Sequence, residues 1–227
     1  WTPNWQVVSD DPLKSQGADD PLARSDVMRA FHEKITGAKS SIVLISPYFV
    51  PGDDGSALLT NAAKRGPGVS VLTNSLAAND VAAVHGGYSK YRDRLIEGGV
   101  SLWELKPDTK QAGKGSVMGA KGASLHTKSA LFDGATVFVG SFNLDPRSVM
   151  LNCEQGVFAT DAELSRQLSA MFARGMSGSA SWRVDHDDKG KLRWSDGTVT
   201  LDKEPDAGFS RRFQSRLFRV LPFDSQL

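Results

Sequence analysis

Apolar and polar positions change period several times along the chain. Val27, Phe31 and Ile35 recur at helical spacing behind Ser25, a residue suited to an N-cap, and predict a helix over residues 25–37. The run SIVLISPYFV at 41–50 reads as a buried strand stopped by Pro51. Leu58, Leu59, Ala62 and Ala63 suit a second helix ending near Gly66. A strand at 69–73, a helix at 80–97 closed by Gly98-Gly99, and a strand at 100–105 follow. A loop at 106–123 carries Lys106, Lys110, Lys114 and Lys121 among glycines. Residues 125–132 roughly alternate, Asp133-Gly134 turns the chain, and 136–139 supply a second strand. A strand near 153–159 leads to a capping box of Thr160 and Glu163, which opens a helix to about Gly175. Strands alternating with helices predict an α/β class with a mixed sheet flanked by helices.

The two ends break this pattern. Residues 1–20, rich in Asp, Pro and Gly, predict a lead-in or linker ahead of a main domain at 21–180. Trp182-Arg183-Val184 and Leu192-Arg193-Trp194 flank Asp187-Asp188-Lys189-Gly190 and predict a hairpin appendage at 181–205. Over 206–227, Phe209, Phe213, Leu217 and Val220 form an apolar stripe beside Arg212, Arg216 and Arg219. That is a basic amphipathic helix, suited to an anionic membrane surface. The same pattern fits a helix docked on its own domain with its arginines in solvent.

Composition narrows the classes. The 227 residues suffice for one domain with a proper core. The 27 Lys and Arg balance 26 Asp and Glu to a net +1, which argues against a bulk electrostatic grip on nucleic acid. The single cysteine, Cys153, excludes an internal disulfide and is expected as a small buried strand residue. No apolar run reaches transmembrane length, and no basic-then-apolar leader opens the chain. Trp1 in place of Met suggests a fragment of a longer protein.

The candidate chemistry lies between residues 125 and 155. His126, Lys128 and Asp133 form His-x-Lys-x-x-x-x-Asp, followed by Gly140-Ser141-x-Asn143 and Glu154. On a strand at 125–132, His126 and Lys128 share one face. The hairpin then brings Ser141 and Asn143 back beside them. These residue types suit a phosphodiester: Lys128 and the Asn143 amide stabilise phosphoryl charge, and an imidazole attacks phosphorus or protonates a leaving alkoxide. Glu154 is a candidate to set the imidazole tautomer. No metal is needed if Lys128 and His126 carry the charge. A second His-x-Lys, His32-Glu33-Lys34, lacks the downstream residues and falls in a helix.

This set of residues resembles the phospholipase D superfamily signature, in which the motif Asp, here Asp133, is a structural hydrogen-bond partner. Further stretches resemble the C-terminal half of bacterial cardiolipin synthases of the C type: Ser46-Pro47-Tyr48-Phe49-Val50-Pro51-Gly52, Thr73-Asn74-Ser75-Leu76, Val84-His85-Gly86-Gly87-Tyr88, Ser141-Phe142-Asn143-Leu144-Asp145-Pro146-Arg147-Ser148, and the tail from Leu221. The resemblance implies a phospholipase D-like domain, one half of a two-half phosphatidyltransferase, with phospholipids as substrates and no cofactor. It implies a phosphohistidine intermediate and catalytic residues His126, Lys128, Asn143 and Glu154, with Lys128, Ser141 and Asn143 on the phosphate. His126 then serves as general acid and base, and an N-terminal half with the first motif supplies the nucleophile. His85 and Tyr48 are candidates for a substrate channel. The implied location is peripheral, on the cytoplasmic face of a bacterial inner membrane, with Leu227 marking the natural end. Two other readings stand beside this one: a homodimeric single-motif phosphodiesterase or nuclease, and an inactive lipid-docking module.

Overall fold

The structure, a computed structural model, describes residues 4–17, 19–79, 81–107 and 125–220. Lys110, Lys114 and Lys121 and the tail at 221–227 lie outside the described residues. One ten-stranded sheet organises the chain. Its centre is parallel: β2 (Ser41–Ile45), β3 (Gly68–Asn74) and β4 (Val100–Leu105). On one side β2 pairs antiparallel with β5 (Ser129–Phe132), then come β6 (Thr136–Gly140), β7 (Gln155–Thr160) and, at the edge, β1 (Trp5–Ser9). On the other side β4 pairs antiparallel with β8 (Ser181–His186), followed by β9 (Leu192–Ser195) and β10 (Thr200–Leu201). The expected mixed sheet with flanking helices is present.

Both faces are covered. On one face, after the short α1 (Pro21–Arg24), α2 (Asp26–Gly37) buries Val27, Phe31 and Ile35, with the Ser25 hydroxyl accepting from Met28 N–H at 3.0 Å as the N-cap. Phe31 meets the rings of Phe138, Phe142, Phe158 and Phe132 at centroid distances of 4.5, 5.2, 5.7 and 5.9 Å. Each such pair contributes about 1 kcal/mol beyond area burial. The same face carries α3 (Gly52–Lys64) and α5 (Arg92–Glu97). The opposite face takes α7 (Ala162–Gly175), whose Leu168, Met171 and Phe172 pack over Leu131 and Val137.

Several boundaries differ from expectation. Residues 5–9 form the edge strand of the sheet, and behind them Asp10 and Lys14 are a buried ion pair, so this stretch belongs to the domain. The helix expected at 80–97 is two, α4 (Ala82–Ser89) and α5, broken at Lys90-Tyr91. The α7 cap is Asp161, which accepts from Leu164 N–H at 2.8 Å; Glu163 pairs with Arg166 instead of closing a box with Thr160. The 181–205 hairpin is no appendage: β8 extends the main sheet, and Lys106 sits over the Trp182 ring while pairing with Asp196 at 2.7 Å. Cys153 is exposed just before β7. His32 is half-buried on α2.

Candidate functional site

Open α/β sheets bind ligands beyond the carboxyl ends of their parallel strands. Here that edge also receives the start of β5, the end of β6 and the start of β7, since Ser129 lies opposite Ile45 and Val139, and Gly140 opposite Gly156. Gly140 and Gly156 share a tight crossing. A Cβ on Gly140 would come within 2.4 Å of the Gln155 carbonyl, and one on Gly156 within 2.3 Å of the Phe138 ring. Two glycines therefore let Phe138 lie across the strands and let the chain turn at Ser141.

His126 and Lys128 lie in the extended segment entering β5, whose strand begins only at Ser129. The ladder starts at Lys128, whose carbonyl accepts from Gly140 N–H at 3.2 Å. It starts no earlier because β6 ends opposite that point, so the strand expected over 125–132 is shorter. Asn74, at the end of β3, holds this segment: its Oδ1 accepts from Leu125 N–H at 2.9 Å and its Nδ2 donates to Leu125 O at 3.4 Å. His126 is exposed. The half-buried Lys128 ammonium donates to the His126 carbonyl at 3.0 Å. Burial lowers the Lys128 pKa, while the negative charges of Glu154 and Asp145 oppose the shift.

Packing of Phe142 against Phe31 fixes the residues on either side of it, Ser141 and Asn143. Asn143 is buried, and its Oδ1 has no partner among the described residues. An unpaired polar atom at the mouth of a sheet is what a group kept for a ligand looks like. Ser141 Oγ donates in a short hydrogen bond to Glu154 Oε2 and accepts from Gln155 N–H at 3.1 Å. Asn152 Nδ2 donates to Glu154 Oε1 at 3.4 Å. The expected contact between Glu154 and the His126 ring is absent among the described hydrogen bonds; Ser141, nearly opposite in register, takes the carboxylate. Asp133, at φ 53° in the β5–β6 turn, accepts from the backbone N–H groups of Lys39, Ser40 and Ser41 and ties the turn to the start of β2.

The two channel candidates separate. Tyr48 is half-buried beside the 140–146 loop, because Phe49 bridges to Leu144. His85 lies elsewhere. It is fully buried, and its Nε2 contacts Arg92 and stands 3.3 Å from Glu204 Oε1. Arg92, also buried, reaches Glu204 at 2.7 Å and Glu104 at 3.2 Å. Burial alone would raise the Glu204 pKa, but Arg92 and His85 outweigh it and hold the carboxyl well below its usual range. The space beside Gly86 is filled by the last helix, α8 (Phe209–Val220).

Three residues not singled out by the sequence shape the site. Asp145 caps α6 (Pro146–Met150), accepting from Ser148 N–H at 2.7 Å. Burial, with the nearby Glu154 charge, pushes its carboxyl up to about 6. The Asp-Pro pair was a readable helix start. Asp10 accepts from Glu154 N–H at 3.1 Å, from Ser25 Oγ at 2.8 Å and from Lys14. Lys14 in turn donates to the carbonyls of Ser148 at 2.7 Å and Asn152 at 2.9 Å. Asp10 and Lys14 carry no local sequence signal.

Residues 31–176 match the family model described as "Cardiolipin synthase, PLD-like domain". Cardiolipin synthase C of Escherichia coli (strain K12) is 38% identical over 96% of this chain and 47% of its own length. Cardiolipin synthase A of Proteus mirabilis (strain HI4320) is 30% identical over 72% of this chain and 29% of its own. The chain thus spans about half, or less, of these relatives. The fold is similar to that of phosphatidylserine synthase from Haemophilus influenzae Rd KW20, with TM-score 0.54 and 15% identity over 76% of this chain and 38% of that one. It is also similar to Nuc, a phospholipase D family member from Salmonella typhimurium, with TM-score 0.52 and 20% identity over 76% and 93%. With its signature residues gathered at one sheet edge and its sequence matched across most of its length, the chain belongs to the phospholipase D-like domain family of cardiolipin synthases.

Proposed function

We propose that the chain is the C-terminal catalytic half of a membrane-associated phosphatidyltransferase that joins phospholipids into cardiolipin. One observation carries the reading. The half-buried Lys128 ammonium stands in the field of Asp145 and Glu154, at the edge that also bears Ser141 and Asn143, in a chain half as long as its cardiolipin synthase relative. A phosphodiester there meets a partly desolvated cation and an amide, and such groups act most strongly on charge that grows in the transition state. Ser141, held by Glu154, adds a hydroxyl beside them.

The chemistry takes two displacements. A histidine of the upstream half attacks phosphorus, the bond to the donor lipid's alcohol breaks, and His126 gives its proton to the departing alkoxide. The acceptor lipid's hydroxyl then loses its proton to His126 and attacks the phosphohistidine. The P–N bond breaks, and both imidazoles return to their starting state. The exposed position of His126 suits a group that must meet both lipid and partner half.

The test is transfer between phospholipids by the chain alone and by the chain fused behind a half carrying the first motif. Little turnover alone and recovery on fusion are expected. Robust transfer by the chain alone would replace the two-half reading with a site shared by two copies. Cleavage of single-stranded DNA without lipid transfer would overturn the lipid reading.

A further inference from the structure

Helix α8 leaves its apolar side exposed, with Phe209 and Phe213 at the mouth of a cavity against the β9–β10 segment. Phe209 is 85% exposed, Phe213 60% and Leu217 48%. The opposite side docks: Ser215 is buried, and a Cβ on Gly86 of α4 would stand 2.7 Å from Phe218 Cβ and 2.9 Å from the Ser215 carbonyl. Arg212, Arg216 and Arg219 fall between these two sides by helical spacing. They border a cavity of about 600 Å³ between α8 and the β9–β10 segment. Lys191, Lys203, Asp93 and Asp202 stand on the same rim; Asp93 lies 3.8 Å from Arg219, Arg212 donates to the Glu204 carbonyl at 2.7 Å, and the Glu204 carboxylate is held by Arg92.

We propose that α8 and this basic rim are the surface on which the chain rests on an anionic phospholipid bilayer. Phe209, Phe213 and Leu217 enter the acyl boundary, and the exposed Arg216 and Arg219 lie at the phosphate layer, with Arg212 bracing the helix on the Glu204 carbonyl. Arginine flanks favour a membrane over a protein groove, because long guanidinium side chains lay their stems on apolar surface and keep their heads at the interface. Position supports the same choice. Arg211 contacts the Asn79 carbonyl in the loop after β3, and Asn74, which ends β3, holds the segment bearing His126. The start of α8 therefore lies near the site's edge of the sheet. The inference deepens the proposed function and rests on it only for the lipid nature of the substrate.

Co-sedimentation with vesicles tests it, using the chain with His126→Ala so that no turnover alters the lipid. Binding to equimolar phosphatidylglycerol and phosphatidylcholine vesicles is expected, with little binding to pure phosphatidylcholine. Phe209→Ser with Phe213→Ser should weaken partition by at least roughly ten-fold, and Arg216→Gln by roughly five-fold. Both variants should unfold at the parent temperature, since these side chains are exposed. Equal binding to both vesicle types, or undiminished binding by the Phe variant, overturns the proposal. So does a Phe variant that loses self-association or capture of an upstream half while keeping its vesicle binding. Turnover of a monomeric short-chain phosphatidyl substrate by the fused enzyme reports the proposed function separately. Its absence would overturn that function and leave the vesicle result standing.

Discussion

Asp10 and Glu154 grip each other twice: the Asp10 N–H donates to the Glu154 carbonyl at 2.9 Å, and the Asp10 carboxylate accepts from the Glu154 N–H at 3.1 Å. The candidate carboxylate of the site is thus set from behind by the segment that precedes the helices. Lys14 completes the arrangement, with its side chain and that of Asp10 fully buried. Removing one member of a buried pair strands the other, at about 3–5 kcal/mol. Asp10→Ala should therefore lose about that much in urea unfolding. Asp10→Leu combined with Lys14→Met should cost less than Asp10→Ala alone, and a double variant no better than the single would show that Lys14 is not the stranded group.

Asp145 should make stability depend on pH in the unusual direction. Its folded pKa, about 6, lies above the ordinary 3.8, so the folded chain binds this proton more tightly than the unfolded chain. The stabilising contribution is full below about pH 4 and is lost as pH rises through 6. The shift corresponds to at most about 3 kcal/mol. Asp145→Asn keeps a side-chain oxygen for the α6 cap and removes the charge. The variant should match the parent near pH 4 and exceed it by about 1–3 kcal/mol at pH 8, measured by urea unfolding at both values.

Gly156 tests the tight crossing. A methyl there meets Phe138 at two ring atoms, 2.3 and 2.5 Å away. Overpacking of this kind costs about 1–3 kcal/mol. Gly156→Ala should lower the unfolding midpoint, and Phe138→Leu in the same chain should return part of the loss. Additive losses would mean that the ring is not the obstacle.

In the fused enzyme, His126→Ala should reduce kcat by about 10²–10⁴-fold, the usual range for a general acid–base group. Lys128→Ala should cost about 10²–10³-fold through lost charge stabilisation. Lys128→Arg should recover only part, because a guanidinium differs in shape from the ammonium in that half-buried slot. Full activity with Lys128→Ala would remove it from the reaction.

The candidate site residues were legible because their spacing follows the strands. His126, Lys128, Ser141, Asn143 and Glu154 sit at or beside the ends of β5, β6 and β7, and a hairpin with one return strand brings such ends together whatever surrounds them. The partner of Glu154 was not legible, since spacing brings Ser141 and His126 near without saying which takes the carboxylate. β1 was missed because an edge strand with Val7 75% exposed shows no clean apolar alternation. Burial of Lys14 depends on acceptors more than 130 residues away, Ser148 and Asn152, and no local pattern announces it. Gly86, read as room for close approach of a ligand, gives close approach of α8, a distinction that a lone glycine does not carry.

The edge position of β1 has a consequence for synthesis. Ser9 pairs with Gln155, so β1 waits during synthesis for the last strand of its own side of the sheet. At roughly 5–20 residues per second the wait is roughly seven to thirty seconds. Through that interval Asp10 has Lys14 and the start of α2 but not Glu154, Lys14 lacks the carbonyls of Ser148 and Asn152, and Trp5 and Val7 lack the strand they pair with. Slow production or a crowded ribosome lengthens an interval in which an unpaired strand invites the wrong partner. Yield of folded chain should therefore be more sensitive to changes in β1 than the strand's exposure in the finished protein would suggest.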